Sequence, residues 1–103
     1  MRIAVVSTDG EMVNEHFGRA GRFLIYDVVG PLQRLVEVRQ VEPLSTGDKN
    51  HPFDAGRLGT VIETVLDCQR LYCAMIGEIP QQELQRQGIL PVVGERTIAT
   101  ITT

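Results

Sequence analysis

Tryptophan is absent from the chain, and its other aromatic residues are only three phenylalanines and two tyrosines. Basic residues are not in excess either, because 10 lysines and arginines stand against 13 aspartates and glutamates, for a net charge of -3. A surface that binds nucleic acid usually combines a basic stripe with aromatic side chains that stack on bases. These two absences therefore argue against nucleic acid as a partner.

Cysteine is scarce as well, since the chain has only Cys68 and Cys73 and no Cys-x-x-Cys motif. The chain therefore lacks a cysteine set that could hold an iron–sulfur cluster on its own. Isolated cysteines are usually reduced and buried, although Cys68, at the end of a predicted helix, is the more available of the two. A disulfide between them is not expected, because Cys73 lies inside the next predicted strand.

Long apolar runs are also missing, so no segment has the length of a membrane span. The first residues are too few for a signal peptide and lead directly into a strand pattern, which favours a cytoplasmic protein. A length of 103 residues with 43% hydrophobic content predicts one domain, residues 1–103, with a modest core.

Short runs of apolar and β-branched residues predict five strands. A glycine–proline turn makes the second and third strands an antiparallel hairpin. On the third strand, Val36 and Val38 are expected to face inward, whereas Glu37 and Arg39 face outward. Pro91 lacks an N–H group and places the fifth strand at the edge of the sheet. The predicted strands are residues 2–7, 22–29, 32–41, 71–76 and 89–93.

Apolar residues at every third or fourth position predict a helix over residues 55–68. Its expected buried stripe is Leu58, Val61, Ile62, Val65 and Leu66. A second helix, over residues 80–87, is bracketed by Pro80 at its first position and by Gly88 just after its end. The β-branched tail, residues 97–103, is expected to be extended.

These elements predict an α/β fold with a mixed five-stranded sheet of order 3-2-1-4-5, in which strand 2 is antiparallel. Strands 1, 3 and 4 then end at the same edge of the sheet. Two long loops, residues 8–21 and 42–54, leave from that edge, as does the short turn at Gly77. Each long loop carries one of the two histidines, His16 and His51. Because ligands of open α/β sheets bind at such an edge and imidazole is a common metal ligand, this convergence predicts a binding site.

Two stretches of the chain resemble one known family. Residues 3–28, IAVVSTDGEMVNEHFGRAGRFLIYDV, combine a strand, a Ser-x-Asp-Gly turn, a His-Phe-Gly-Arg-Ala loop and a second strand. Residues 67–93, DCQRLYCAMIGEIPQQELQRQGILPVV, are similar to the second half of the same domain. That domain is the dinitrogenase iron-molybdenum cofactor biosynthesis domain. The resemblance implies a ribonuclease H-like, three-layer fold but no nuclease chemistry, because strand 1 carries no acidic residue.

The resemblance also implies a function. It implies a non-catalytic protein that binds an iron–sulfur cluster precursor or the iron-molybdenum cofactor transiently and carries it during nitrogenase cofactor assembly. The implied partners are the cofactor assembly scaffold and apo-dinitrogenase. His16 and His51 are the candidate metal ligands, and Arg19 and Arg22 would balance the charge of a cluster with forked donors. The candidate cofactor-binding residues further include Phe17, Gly18 and Gly77.

Other interpretations of these residues stay open. His16 is then a staple of the loop, Arg19 pairs with a neighbouring glutamate, and Phe17 fills the core beneath the loop. A small hydrolase would use Asp9, Glu15 and His16 as acid–base groups, but no serine or cysteine lies in an activation motif. A regulatory module would bind a protein or a small anion with the same loops.

Overall fold

A computed structural model describes residues 1–44 and 55–103 of the chain. Within that range the helices are α1 (Ala55–Glu63) and α2 (Glu78–Arg86), and the 3₁₀ turns are Phe17–Arg19 and Ile98–Thr100. The strands are β1 (Arg2–Val5), β2 (Met12–Val13), β3 (Arg22–Val29), β4 (Leu32–Gln40), β5 (Arg70–Cys73), β6 (Leu90–Val93) and β7 (Arg96–Thr97). Neither of the helices in this range is long and apolar enough to cross a membrane.

Five strands form one mixed sheet in the order β4-β3-β1-β5-β6, which is the order predicted from the sequence. Strand β3 runs antiparallel to both of its neighbours, whereas β1, β5 and β6 run parallel to one another. The strand that contains Pro91 lies at the edge, as its missing N–H group requires. A separate two-stranded sheet joins β2 to β7 and is not visible in the sequence pattern, because each strand has only 2 residues.

Strand β1 is buried on both faces, as its continuous apolar run predicts. On one face, Ala4 and the following Val6 belong to a cluster with the apolar sides of both helices. On the other face, Ile3 and Val5 pack against a layer that contains no α-helix in the described residues. That layer is formed by β2 and the tail, which contribute Val13, Ile98 and Ile101. The three layers are therefore the helices, the sheet and this smaller layer.

Helix α1 ends at Glu63, five residues before its predicted end. From Thr64 onward the backbone N–H groups bond three residues back rather than four: that of Thr64 donates to the carbonyl of Val61, and that of Val65 to the carbonyl of Ile62. The chain then continues in tighter turns. Leu66 is consequently 49% exposed, so the predicted apolar stripe loses its last member.

Helix α2 begins earlier than predicted, so Pro80 occupies its third position rather than its first. Proline is tolerated there because the N–H groups of the first turn have no partner within the helix. At the other end, Gly88 has a φ of +80°. Its N–H donates to the backbone carbonyl of Gln85, and the N–H of Ile89 donates to the backbone carbonyl of Leu84. These two bonds form a Schellman cap, which explains the glycine.

A β-bulge in β4 overturns the predicted inward pair of valines. Ile25 of β3 pairs with Glu37, but the next residue of β3 pairs with Leu35, so Val36 is an extra residue. The extra residue changes which face the later side chains occupy. Val36 packs against the cluster beneath the helices, whereas Val38 is 42% exposed on the opposite face.

The same bulge brings Arg39 to the helical face, although the sequence predicts that it points outward. Its guanidinium binds both carboxylate oxygens of Asp67, at 2.6 and 2.8 Å, and the carbonyl of Thr64 at 2.7 Å. Arg2 of β1 joins the network by binding Asp27 at 3.0 Å and Asp67 at 3.1 Å. These contacts tie the end of the α1 segment to three strands.

Other predicted bounds differ where the chain leaves the sheet. The strand predicted over residues 2–7 ends at Val5, and the strand predicted over residues 71–76 ends at Cys73. The residues that follow each of them build the loops of the candidate site. The tail is extended only in part, because residues 98–100 form a 3₁₀ turn.

Candidate functional site

The connection after β1 is a tight turn built around Ser7 and Asp9. The Asp9 carboxylate accepts hydrogen bonds from the backbone N–H groups of Met12 and Glu11, each at 2.9 Å. These bonds stabilise the charged carboxylate and hold the pKa of Asp9 below its usual value. The Ser7 hydroxyl accepts from the N–H of Gly10 at 2.9 Å, and the φ of +78° at Gly10 favours glycine. The Ser-x-Asp-Gly sequence is therefore explained by the turn.

The loop after β2 takes the place of β1 beside the end of β5. The N–H of Ala74 donates to the carbonyl of Glu15 at 3.0 Å, and the N–H of Phe17 donates to the carbonyl of Met75 at 2.8 Å. His16 consequently forms a parallel bridge with Met75. Two side chains that no sequence motif connects are thus neighbours at the sheet edge where β1 and β5 end.

His16 caps the 3₁₀ turn that follows it. Its Nδ1 atom accepts a hydrogen bond from the backbone N–H of Gly18 at 2.8 Å. In a neutral imidazole one nitrogen carries the proton and the other accepts, so this bond places the proton on Nε2. The backbone N–H of His16 donates in turn to the Glu15 carboxylate at 2.8 Å. The loop itself therefore holds the ring in one tautomer.

Phe17 and Gly18, both candidate cofactor contacts in the sequence, are buried beneath this loop. Phe17 is 1% exposed and belongs to the core cluster on the helical face, where its ring centroid lies 6.0 Å from that of Phe23. The N–H of Gly18 is occupied by His16. These residues anchor the loop to the sheet, so His16 stands on a rigid base.

A cavity of about 440 Å³ lies beside His16. Pockets for small ligands and cofactors typically span about 300–1,000 Å³. Within residues 1–44 and 55–103, no three His, Cys, Asp or Glu side chains are close enough together to hold a metal ion. The potential donors are instead spread over the cavity wall, which suits a body larger than a single ion. The lining residues include Asn14, Glu15, His16, Arg19, Met75 and Glu95.

Comparison with known proteins assigns the chain to a family. A family model described as dinitrogenase iron-molybdenum cofactor matches residues 1–102. The chain belongs to this family. The family takes part in the biosynthesis of the iron-molybdenum cofactor, as the motifs in the sequence imply.

Three similar proteins illustrate the family. The chain is 38% identical over 90 residues to the FeMo cofactor biosynthesis protein NifB of Frankia alni, and the match covers 87% of this chain but only 18% of that protein. It is 27% identical over 92 residues to Protein NifX of Rhodobacter capsulatus, covering 89% of the chain and 58% of that protein. The crystal structure of PH0822 superposes with a TM-score of 0.68 at 27% identity, over 96% of this chain and 84% of that one. The chain thus spans less than a fifth of the NifB protein and most of the PH0822 chain.

Two further residues predicted for the site of this family member are His51 and Gly77. His51 lies outside the described residues, although β4, which precedes it, ends at the same edge as β1. Gly77 is the N-cap of α2 and does not line the cavity beside His16. A Cβ atom at Gly77 would meet Pro80 at 3.6 Å, which is an ordinary contact, so packing does not require glycine there.

Met75 is the contact that the sequence pattern misses. The apolar run around it predicts the interior of a strand, yet β5 ends two residues earlier and Met75 is 63% exposed. A thioether is a soft metal ligand. The available signal is its position two residues before Gly77, at the end of a strand that was expected to lead into the turn at the site edge.

The cysteines of this family member are free and buried, in agreement with the sequence. Burial raises the pKa of the Cys73 thiol to about 12, and burial together with the nearby Asp67 charge raises the pKa of the Cys68 thiol to about 12. Cys68, expected to be the more available, is only 3% exposed. Neither thiol lines the cavity beside His16.

Proposed function

We propose that the chain is a non-catalytic carrier that binds an iron–sulfur cluster precursor or the iron-molybdenum cofactor during nitrogenase cofactor assembly. The observation that carries the proposal is the pairing of His16 with Met75 on the wall of a cavity of about 440 Å³. Imidazole and thioether are both ligands of protein-bound iron. The family, and the name of its NifB relative, support the class of cargo.

The cargo in this proposal is preformed. Because donors in the described residues do not converge on one ion, a cluster that brings its own sulfides suits the cavity better than a metal ion does. The protein then supplies only a few ligands, His16 and Met75, and we propose His51 as a further one. Arg19, which has no ion pair among the described residues, offsets the negative charge of the cluster.

Binding through Nε2 of His16 requires the loop to rearrange. A ligating nitrogen needs a lone pair, so the proton of the neutral ring must move to Nδ1. A protonated Nδ1 cannot accept the N–H of Gly18, which it accepts in this structure. The cap is therefore released when cargo binds, and Nδ1–H donates to another acceptor, as is usual for metal-bound histidines.

A hydrolase built on the same residues is disfavoured by their hydrogen bonds. The Asp9 carboxylate is occupied by two backbone N–H groups, and Nδ1 of His16 is occupied by Gly18. The Ser7 hydroxyl donates to Asp9 at 3.2 Å rather than to a histidine. No nucleophile in the described residues is therefore paired with a free base.

The setting of the carrier follows from the proposed cargo. We propose that residues 1–103 act as one domain in the cytoplasm and pass the cargo between an assembly scaffold and apo-dinitrogenase. The net charge of -3 supports partners other than nucleic acid. We also propose that the sheet order, with antiparallel β3 between β1 and β4, is a ribonuclease H-like arrangement.

An anaerobic titration of the chain with an iron–sulfur cofactor precursor, followed by visible absorbance, tests the proposal. We expect saturable binding by the parent protein and an affinity at least about tenfold weaker in His16→Asn, because an imidazole ligand is lost. Asparagine is chosen because its side chain still caps the turn. If the parent does not bind saturably, the carrier role is wrong.

Val5→Ala is the control for this titration. Val5 is fully buried in β1 and does not line the cavity. Its truncation should lower the free energy of unfolding by about 1–3 kcal/mol while leaving the affinity for the precursor unchanged. If His16→Asn binds like Val5→Ala and the parent, His16 is a cap and not a ligand.

A further inference from the structure

A second cavity of different chemistry adjoins the first. Its volume is about 320 Å³, and it lies between the end of β1 and the start of β3. The two cavities share Glu15 and Arg19. Arg22 and Gln40, which pair across β3 and β4, line only the second of the two.

Two arginines on the wall of this second cavity are without an ion pair in the described residues. Arg19 and Arg22 form no ion pair with any described residue, whereas Arg2 and Arg39 are both bound to Asp67. Each guanidinium offers five N–H donors in a planar fork. In a chain whose net charge is -3, two unpaired guanidinium groups on one cavity wall mark a place for a negative ligand.

The other polar groups of the wall add donors and one carboxylate. The side-chain amide of Gln40 takes part in no hydrogen bond with the described residues. The hydroxyl of Thr8 accepts from Asn14 at 2.9 Å and keeps its own proton to donate. The Glu15 carboxylate accepts the N–H of His16 at 2.8 Å and is the acidic group on this wall. Two arginines and one glutamate leave the wall with a net positive charge.

We propose that this second cavity binds a small oxyanion with at least two negative charges, such as phosphate or a compact polycarboxylate. The guanidinium fork matches the oxygen spacing of both carboxylates and tetrahedral oxyanions, and it binds them with two parallel hydrogen bonds. Gln40 and Thr8 supply the further donors that such an anion needs. The proposal goes beyond the carrier role, because Arg22 and Gln40 lie outside the cavity of His16 and Met75.

Isothermal titration of the full chain with inorganic phosphate, and separately with citrate, tests this proposal in a low-chloride buffer. We expect saturable binding of at least one probe to the parent and about tenfold weaker binding to Arg22→Gln, which loses a charge-assisted fork. Arg22 is chosen because Arg19 lines both cavities. Arg34→Gln removes an arginine of β4 that lines neither cavity, and it should keep the parental affinity.

Glu15→Gln provides a second test whose expected result is a gain. The amide oxygen can still accept the N–H of His16, while the loss of the carboxylate charge should strengthen binding of the same probe several-fold. The proposal is overturned if neither probe binds, if Arg22→Gln binds like the parent, or if Glu15→Gln binds no tighter. Because both probes lack metal, these outcomes are independent of the cluster titration.

Discussion

A half-buried histidine that caps a turn contributes to stability in a way that an exposed loop histidine does not. From the sequence alone, a histidine in an irregular loop is expected to be nearly dispensable for the fold unless it is a staple of that loop. The hydrogen bond from Gly18 to its Nδ1 makes it an N-cap instead. The same ring nitrogen therefore links the stability of the loop to any ligand that His16 takes.

His16→Ala should lower the free energy of unfolding by about 1 kcal/mol, because the N–H of Gly18 loses its acceptor. His16→Asn should lower the free energy of unfolding by less, since asparagine is a good N-cap. Chemical denaturation of both variants measures the difference. If His16→Ala is as stable as the parent, the cap contributes nothing and the sequence-based expectation is correct.

Met75→Leu should weaken binding of the iron–sulfur precursor several-fold while leaving stability within about 0.5 kcal/mol, because the side chain is 63% exposed and leucine has a similar volume. The matched control is Met12→Leu, since the Met12 thioether lies in β2 and accepts from the Thr97 hydroxyl. The measurement is the same anaerobic titration. Equal affinities of the two variants would show that Met75 is not a ligand.

At the scale of elements, periodicity predicts which segments form strands and helices but not where hydrogen bonding changes partner. The strand order and the turn at Gly88 follow from apolar spacing and turn residues. The end of α1 does not, because it depends on where the backbone N–H groups change from carbonyls four residues back to carbonyls three residues back. The face that each β4 side chain occupies does not follow from the pattern either, because the extra residue Val36 reverses the alternation of side chains between the two faces of the sheet.

Two glycines should respond to alanine in opposite directions. Gly59 lies inside α1 with open space around a Cβ atom, so Gly59→Ala should stabilise the protein by about 0.5–1 kcal/mol. Gly88 has a φ of +80°, so Gly88→Ala should destabilise it by roughly 1 kcal/mol. Thermal melts of the two variants check the signs. A gain from Gly88→Ala would show that the Schellman cap is not what requires glycine.

At the scale of the whole molecule, one ionic network joins elements that are distant in sequence. Arg39 of β4 and Arg2 of β1 both bind Asp67, which follows α1, and Arg2 also binds Asp27 of β3. The guanidinium of Arg39 holds the pKa of Asp67 well below its usual range, and Arg2 lowers the pKa of Asp27. The packing of helices on the sheet is therefore coupled to the charge of these carboxylates.

This coupling predicts how stability depends on acid. Because the folded-state pKa of each carboxylate lies below the unfolded value of about 3.9, the stabilisation is fully present above that pH and is lost as the pH falls from there through the lower folded-state pKa. Asp67→Asn should lower stability at neutral pH by about 1 kcal/mol or less, since the Asp67 side chain is 44% exposed, and should make the loss below about pH 4 shallower.

Denaturation of parent and variant between acidic and neutral pH measures this effect. Glu83→Gln is the control, because Glu83 forms an exposed pair with Arg86 on α2 and should leave the acid slope nearly unchanged. If the free energy of unfolding of Asp67→Asn falls as steeply with decreasing pH as that of the parent, the ionic network is not the source of the acid dependence.

The candidate site is predicted from the sequence only as far as topology reaches. That β1, β4 and β5 end at one edge follows from strand order, and the loop of His16 is indeed there. That Met75 lies next to His16 could not be predicted. It depends on hydrogen bonds between residues distant in sequence, by which the His16 loop replaces β1 as the neighbour of the chain after β5. The occupation of Nδ1 by Gly18 is likewise invisible in the motif, since it depends on the geometry of a three-residue turn.

In concentrated solution, the bulge at Val36 should disfavour aggregation through the edge of the sheet. Within the part of the chain that the structure describes, β4 is one of the two edge strands of the five-stranded sheet, and at 9 residues it is the longer of the two. It exposes Leu32, Leu35 and Val38, and a flat apolar edge of this length would offer other copies a template for amyloid-like stacking. A bulge disrupts the regular ladder and increases the twist of the strand, which disfavours extension of the sheet by another copy of β4.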